Sequence, residues 1–416
     1  MRVAVAEFSM TSPDRMEFEA VERKGLGHPD TLADLLAEEF SACYSRYGLA
    51  AYGFVPNHWV DKVALIGAAS SVRFGGFEIR KPITAYLFGK LTPSVEGAHL
   101  PIHELFEKAV RTIAVAGTQR SDIVDHVDLV VENTAGTAPD HPAAFYQPST
   151  VAEGRDLLGE RRSNDTAFCT AYAPRTPLES LVTELELYLT SQRFRRDFPM
   201  LGTDVKVSAL RVRGDIELTV CLPFHPDRTP TRESYDECLA AAREKTRKFA
   251  LTRLEERLEF RRMTLNVNTK DQVGGAYLTP FGTSLGKGDC GLVGRGNGYH
   301  GVVSVMRGRS AEAFAGKNPV HHVGKLYTAA AARIAEDIHV SLGLGNETIM
   351  AARNGDPLHD PLFIGVRLAG RATTRERVMI EEICGRVVTD LDRLSKWLLS
   401  TSAIDRFRAP KAFAVG

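Results

Sequence analysis

Apolar residues recur every three or four positions in six stretches of the chain and at alternate positions in several shorter ones, a mixture of helical and strand periods. Leu32, Leu35, Leu36, Phe40 and Cys43 form one such stripe behind Pro29. Proline suits the first helical position because it has no N–H to leave unbonded, so a helix is predicted to start there. Similar stripes predict helices over 103–117, behind Pro177 (Leu178, Leu181, Leu185, Leu189), over 231–258, after Lys325 (Leu326, Ala330, Ile334, Ile338) and over 373–399. Strands are expected at 2–8, 62–67, 77–88, 126–131, 167–172, 263–268, 275–281, 346–351 and 361–368. Residues 201–222 read as a hairpin turning at Gly214-Asp215, and the Pro/Gly/Ala-rich stretch 134–150 reads as a loop at a boundary. The last sixteen residues read as a tail.

Strand pairs therefore alternate with helices three times over, which predicts an α+β fold of three similar units. A chain of 416 residues is long enough for two or three domains. Lys+Arg and Asp+Glu are equal at 52 each, so net charge points to neither a nucleic-acid nor a membrane partner. With no signal-peptide pattern and no apolar run of roughly 18 residues, a cytoplasmic location is expected. The six cysteines are scattered without a C-x-x-C pair, which argues for reduced thiols over a zinc site or a disulfide framework.

Candidate chemistry concentrates in GKGDCGLVGRGNGYHG, residues 286–301, where seven of sixteen residues are glycine, and in AFAGKNPVHHVGKLY, residues 313–327. Glycines allow sharp turns and close backbone approach. Lys287, Asp289, Arg295, Lys317 and Lys325 add cations and a carboxylate, as a metal-bearing polyanion would require. Neither a Walker A loop nor a Rossmann fingerprint fits, because G-x-x-x-x-G-K-[ST] and the βαβ context are both missing. His28 and Asp30 sit at a predicted helix N-terminus, which attracts anions, although taken alone capping and dipole compensation are the simpler explanation of both. Asp165 at a turn, and Asp204 and Lys206 at a strand start, are likewise open to purely structural readings.

Five blocks give the pattern a context: ERKGLGHPDTLAD (22–34), SNDTAFCTAYAP (163–174), GTDVKV (202–207), GDCGLVGRGN (288–297) and AGKNPVHHVGKLY (315–327). In this order the chain resembles S-adenosylmethionine synthetase of the archaeal-type branch, from about residue 20 to about residue 366. The resemblance implies three similar α+β domains about a pseudo-threefold axis, placed near 1–145, 146–282 and 283–416 with interleaved segments. It also implies a homodimer with active sites between subunits. The implied reaction is attack of the L-methionine sulfur on C5′ of ATP, with loss of triphosphate that is then cleaved to pyrophosphate and phosphate. By the same resemblance, His28 lies near the leaving oxygen, while Lys206, Arg295 and Lys317 bind triphosphate with Lys325 as a fourth cation. Asp165, Asp204 and Asp289 handle the ribose and the substrate amino group. Asp30, with Glu22 beside it, ligates magnesium, and a potassium requirement stays open.

Several positions depart from the family pattern. Gly298 and His300 stand where arginine and asparagine are usual, His321 and Trp59 replace asparagines, and Lys287 is an added charge. The alternative is therefore a divergent paralogue using the same ATP chemistry on another nucleophile or on water. A non-catalytic regulatory subunit would have no need of the clustered charges it would be keeping.

Overall fold

Three larger sheets carry most of the strands in the computed structural model, which describes residues 2–139, 141–159 and 161–409. The first has the order Gly291–Leu292, His58–Ile66, Ile83–Leu91, Val127–Asn133. The second runs Arg262–Val267, Asp215–Cys221, Lys206–Val212, Phe18–Lys24, Val303–Ser304. The third runs Val3–Ala6, Phe363–Leu368, Asn346–Ala351, Phe168–Ala173. Each sheet packs one face on helices around its own apolar cluster. Helices Pro29–Tyr52 and Ile102–Thr118 cover the first, Pro177–Leu189 and Arg232–Glu255 the second, and Val323–Leu342, Thr374–Thr389 and Leu391–Ser400 the third. No helix among the described residues is long and apolar enough to cross a membrane.

Local chemistry explains the helix starts. The His28 side chain accepts the Asp30 N–H ahead of Pro29, and the helix ends 24 residues later at Gly53, whose φ of 72° suits glycine. Thr176 and Glu179 form a capping box for Pro177–Leu189. In Ile83–Leu91 every second residue is buried, as a half-covered sheet requires. Among the described residues no helix packs on the opposite face of that sheet. Tyr86 and Phe88 stack there at 5.6 Å, and Ile66 and Leu292 are exposed beside them. The second sheet likewise exposes Phe18, Leu210 and Val212, with Val212 directly opposite Phe18.

Several expected elements differ. The predicted strand 77–88 is two strands, Gly76–Lys81 and Ile83–Leu91, in different sheets, because Pro82 cannot donate to a ladder. Residues 275–281 form no strand. Leu278 makes one bridge to Phe224, and Pro280 opens a short turn with Phe281 at φ 58°. The predicted helix 373–399 breaks at Asp390, whose φ of −101° and ψ of 26° leave the helical region. From the expected tail, Ala403–Arg408 forms a short helix on the first core, and residues 410–416 lie outside the described residues.

Candidate active site

The end of strand Phe18–Lys24, the start of helix Pro29–Tyr52 and the start of strand Lys206–Val212 meet at one edge, where Lys24 and Lys206 are register partners. Lys206 Nζ lies 2.8 Å from Glu22 Oε2. Lys24 Nζ lies 3.0 Å from Asp30 Oδ2 and donates to the Arg295 carbonyl at 2.6 Å. Asp30 Oδ1 accepts the Leu292 N–H at 3.1 Å, so one carboxylate ties the helix start to the glycine-rich stretch.

His28 Nδ1 accepts the Asp30 N–H at 3.2 Å. An accepting Nδ1 leaves the ring proton on Nε2, which can donate. Burial lowers the His28 pKa, opposed by Asp204 and Asp30 and reinforced by Lys24 and Lys206, so the ring is neutral in a charged neighbourhood. Asp204 is buried and accepts from both the amide and the hydroxyl of Ser284, at 2.8 and 2.5 Å. Burial raises its pKa, His28 opposes that, and Asp289 adds to it. Lys287 belongs to the same group: its ammonium lies 4.5 Å from the Tyr277 ring centre, and Asp289 and Asp204 partly offset the downward effect of burial on its pKa.

A second group lies around the sequel of the glycine stretch. Lys317 bridges to Trp59 through the backbone, and its buried Nζ is 3.6 Å from Glu312 and 3.9 Å from Asp61. Lys325 is 1% exposed and sits 2.6 Å from Glu38, which also accepts from Arg406 at 2.5 Å and the Gly316 amide at 3.0 Å. Burial lowers the Lys325 pKa to about 8 against the pull of Glu38. Arg295 and Lys317 line one cavity of about 440 Å³, walled also by Asp34, Tyr172, Arg307 and Phe314. The exposed Arg295 guanidinium has no hydrogen bond or ion pair among the described residues. Asp165 does not line the cavity, and its carboxylate accepts the neighbouring Thr166 amide at 2.7 Å.

The unusual positions have local structural partners. His300 stacks on Tyr172 at 3.9 Å and accepts its backbone N–H, while Arg307 covers the Tyr172 ring. Burial and the Arg175 and Arg307 charges push its pKa down to about 3, so it is a neutral wall of the cavity. His322 caps helix Val323–Leu342 through its Nδ1, and His321 is buried with its pKa pushed down to about 3. Trp59 meets the His322 ring edge-on and carries Lys90 over its face at 5.3 Å. Gly298 has φ 73°, where glycine fits without strain. Among the described residues no group of three or more His, Cys, Asp or Glu is arranged to hold a metal ion.

Sequence reasoning did not single out Lys24, Asp34, Glu38 or Ser284, which tie these pieces together. Asp34 carried a signal, since it lies one turn beyond Asp30 on the same helix face.

A family model described as S-adenosylmethionine synthetase (AdoMet synthetase) matches residues 1–402. The chain is 34% identical over 369 residues to the S-adenosylmethionine synthase of Pyrococcus furiosus, covering 88% of this chain and 89% of that protein. Against the S-adenosylmethionine synthase of Sulfolobus acidocaldarius it is 32% identical over 411 residues, covering 97% and 98%. A probable S-adenosylmethionine synthase of Aquifex aeolicus is 31% identical over 378 residues, covering 89% and 90%.

Proposed function

The chain belongs to the S-adenosylmethionine synthetase family, and on that premise we propose that it makes S-adenosylmethionine from ATP and L-methionine. The methionine sulfur donates an electron pair to C5′, the C5′–O5′ bond breaks, and its electrons leave on triphosphate. Water then cleaves the triphosphate to pyrophosphate and phosphate. The observation that carries this reading is the junction where His28, Asp30, Lys206 and Asp204 share one electrostatic neighbourhood with the loop bearing Arg295.

Expelling triphosphate from carbon puts charge on the leaving oxygen, so the rate depends on cations and donors fixed before the reaction. His28, with its proton on Nε2, donates to that oxygen. Lys206, Arg295 and Lys317 hold the phosphates, and Lys325 acts from behind Lys317 through its field. Asp204 and Asp289 take the ribose and the substrate ammonium, with Asp165 as a third acid.

The donor set fits magnesium. Asp30 and Glu22 offer hard carboxylate oxygens, and each Asp30 oxygen keeps a lone pair beyond those used by Lys24 and Leu292. Magnesium commonly takes one or two carboxylates plus substrate phosphates instead of an all-protein cage. When bound, it would offset charge on the phosphates. Potassium is a separate question, read by activity with and without the ion.

The three sheets with separate cores support domains in pseudo-threefold relation. The apolar open faces at Tyr86–Phe88 and at Phe18–Val212 support a homodimer with sites at the subunit boundary.

One observation favours the second reading, a paralogue with another nucleophile. Lys287 stands by Asp204 and Asp289, acids assigned to the ribose and the substrate ammonium, and competes for their charge. Mass spectrometry of the products from ATP with methionine, and with a panel of other thioethers and amines, separates the two. Methionine-dependent sulfonium with equal release of pyrophosphate and phosphate supports the first; ATP consumption without that sulfonium rejects it.

A further inference from the structure

The backbone around Arg295 has hydrogen-bond partners for five of its six polar groups over residues 294–296. The Gly294 N–H donates to Asp34 Oδ1 at 2.6 Å, and the Gly296 amide beside the same carboxyl helps oppose the upward effect of burial on its pKa. Arg309 Nη2 donates to the Gly294 carbonyl at 3.0 Å and to the Gly296 carbonyl at 3.2 Å. The Arg295 N–H goes to the Leu292 carbonyl at 3.2 Å, and its own carbonyl accepts Lys24 Nζ at 2.6 Å. Asp34 thus holds the Gly294 donor with Gly296 packed against its other oxygen, and Arg309 holds the carbonyls of both glycines. The Arg295 side chain is left uncommitted.

The glycines make this grip possible. A Cβ on Gly296 would lie 2.2 Å from Asp34 Oδ2, and Gly294 sits at φ 86°, where other residues are strained. Beyond Gly296, Asn297 exchanges hydrogen bonds with both backbone groups of Lys24, at 2.8 and 2.7 Å. A loop so bonded has little freedom to let its arginine drift, and small misplacements of a charge-stabilising group are expensive in rate.

We propose that Asp34 and Arg309 are positioning residues for Arg295, clamping the Gly294–Gly296 loop from its donor and acceptor sides so that the guanidinium is presented to the triphosphate. Neither touches the reacting atoms in this scheme. The proposal rests on the reading of Arg295 as a triphosphate cation.

The test is a pair of double-mutant cycles read as affinity for magnesium tripolyphosphate by calorimetry on the full chain, which requires no methionine and no turnover. Asp34→Asn removes one acceptor and turns an amide N–H toward a glycine amide. Arg309→Gln lies at an exposed position and keeps the fold should the Asp34 variant fail to accumulate. Arg295→Ala is expected to weaken binding at least tenfold. In the Arg295 background each clamp variant should weaken it about tenfold, and in the Arg295→Ala background less than twofold. A structural role alone would lower the unfolding midpoint equally in both backgrounds without this non-additivity. Equal factors in both backgrounds, or no loss of affinity in the first, overturn the clamp while leaving the assignment of Arg295 standing. Unchanged affinity in Arg295→Ala alone rejects that assignment, and the clamp with it.

Discussion

Lys325→Met separates a buried structural cation from a substrate-binding one. Lys325 is 1% exposed and Glu38 8%, at 2.6 Å from each other. Removing one member of a buried pair costs roughly 3–5 kcal/mol, because the survivor stays desolvated without its counter-charge. Glu38 would keep Arg406 and the Gly316 amide, which places the expected loss near the lower limit, about 3 kcal/mol. Glu38→Gln removes the carboxylate charge that Lys325 faces and should cost a similar amount. The double variant should lose clearly less than the sum of the two, since no unpaired charge is then left between them. The assay is urea unfolding of all four proteins, with kcat per folded molecule measured alongside. If Lys325→Met loses less than about 1 kcal/mol of stability while kcat falls on the order of 100-fold, Lys325 contacts substrate and the reasoning from its burial fails.

His28→Asn keeps a good helix cap but deletes the Nε2 donor, so stability should change by less than about 1 kcal/mol while kcat falls on the order of 100-fold; equal loss of both would assign His28 to capping alone. Burial holds His58 down to about 4 and His225, His300 and His321 down to about 3. The unfolded chain binds protons on these rings from about pH 6.5 downward while the folded one does not, so stability is lost as pH falls from 7 toward 4. Four rings at roughly 1.3 kcal/mol each predict a loss of about 5 kcal/mol between pH 7 and 5.5 in chemical unfolding, and a flat profile would refute the neutral assignment. Lys287→Ala, by freeing Asp204 and Asp289, should lower the methionine KM several-fold; unchanged methionine KM would remove the support for an altered nucleophile.

The helix starts were legible because the apolar period, Pro29 and Pro177 are local properties of the letters. Sheet membership was not, since pairing joins residues as distant as Val3 and Ile364, or Glu22 and both Ser208 and Val303. The site divides the same way. Asp204, Arg295 and Lys325 stand in recognisable blocks, but the partners that fix them, Ser284, Lys24 and Glu38 respectively, reach them only through the fold. Asp34 shows why motif spacing undercounts such residues. Its position one turn after Asp30 marks a shared helix face, yet its bonds go to a loop 260 residues away whose glycines look, in sequence, like a phosphate cradle. In the structure Gly296 leaves the space that the Asp34 carboxylate fills and Arg309 takes the Gly294 and Gly296 carbonyls, so the loop's backbone is spent on holding Arg295 and its side chain is what remains to meet an anion.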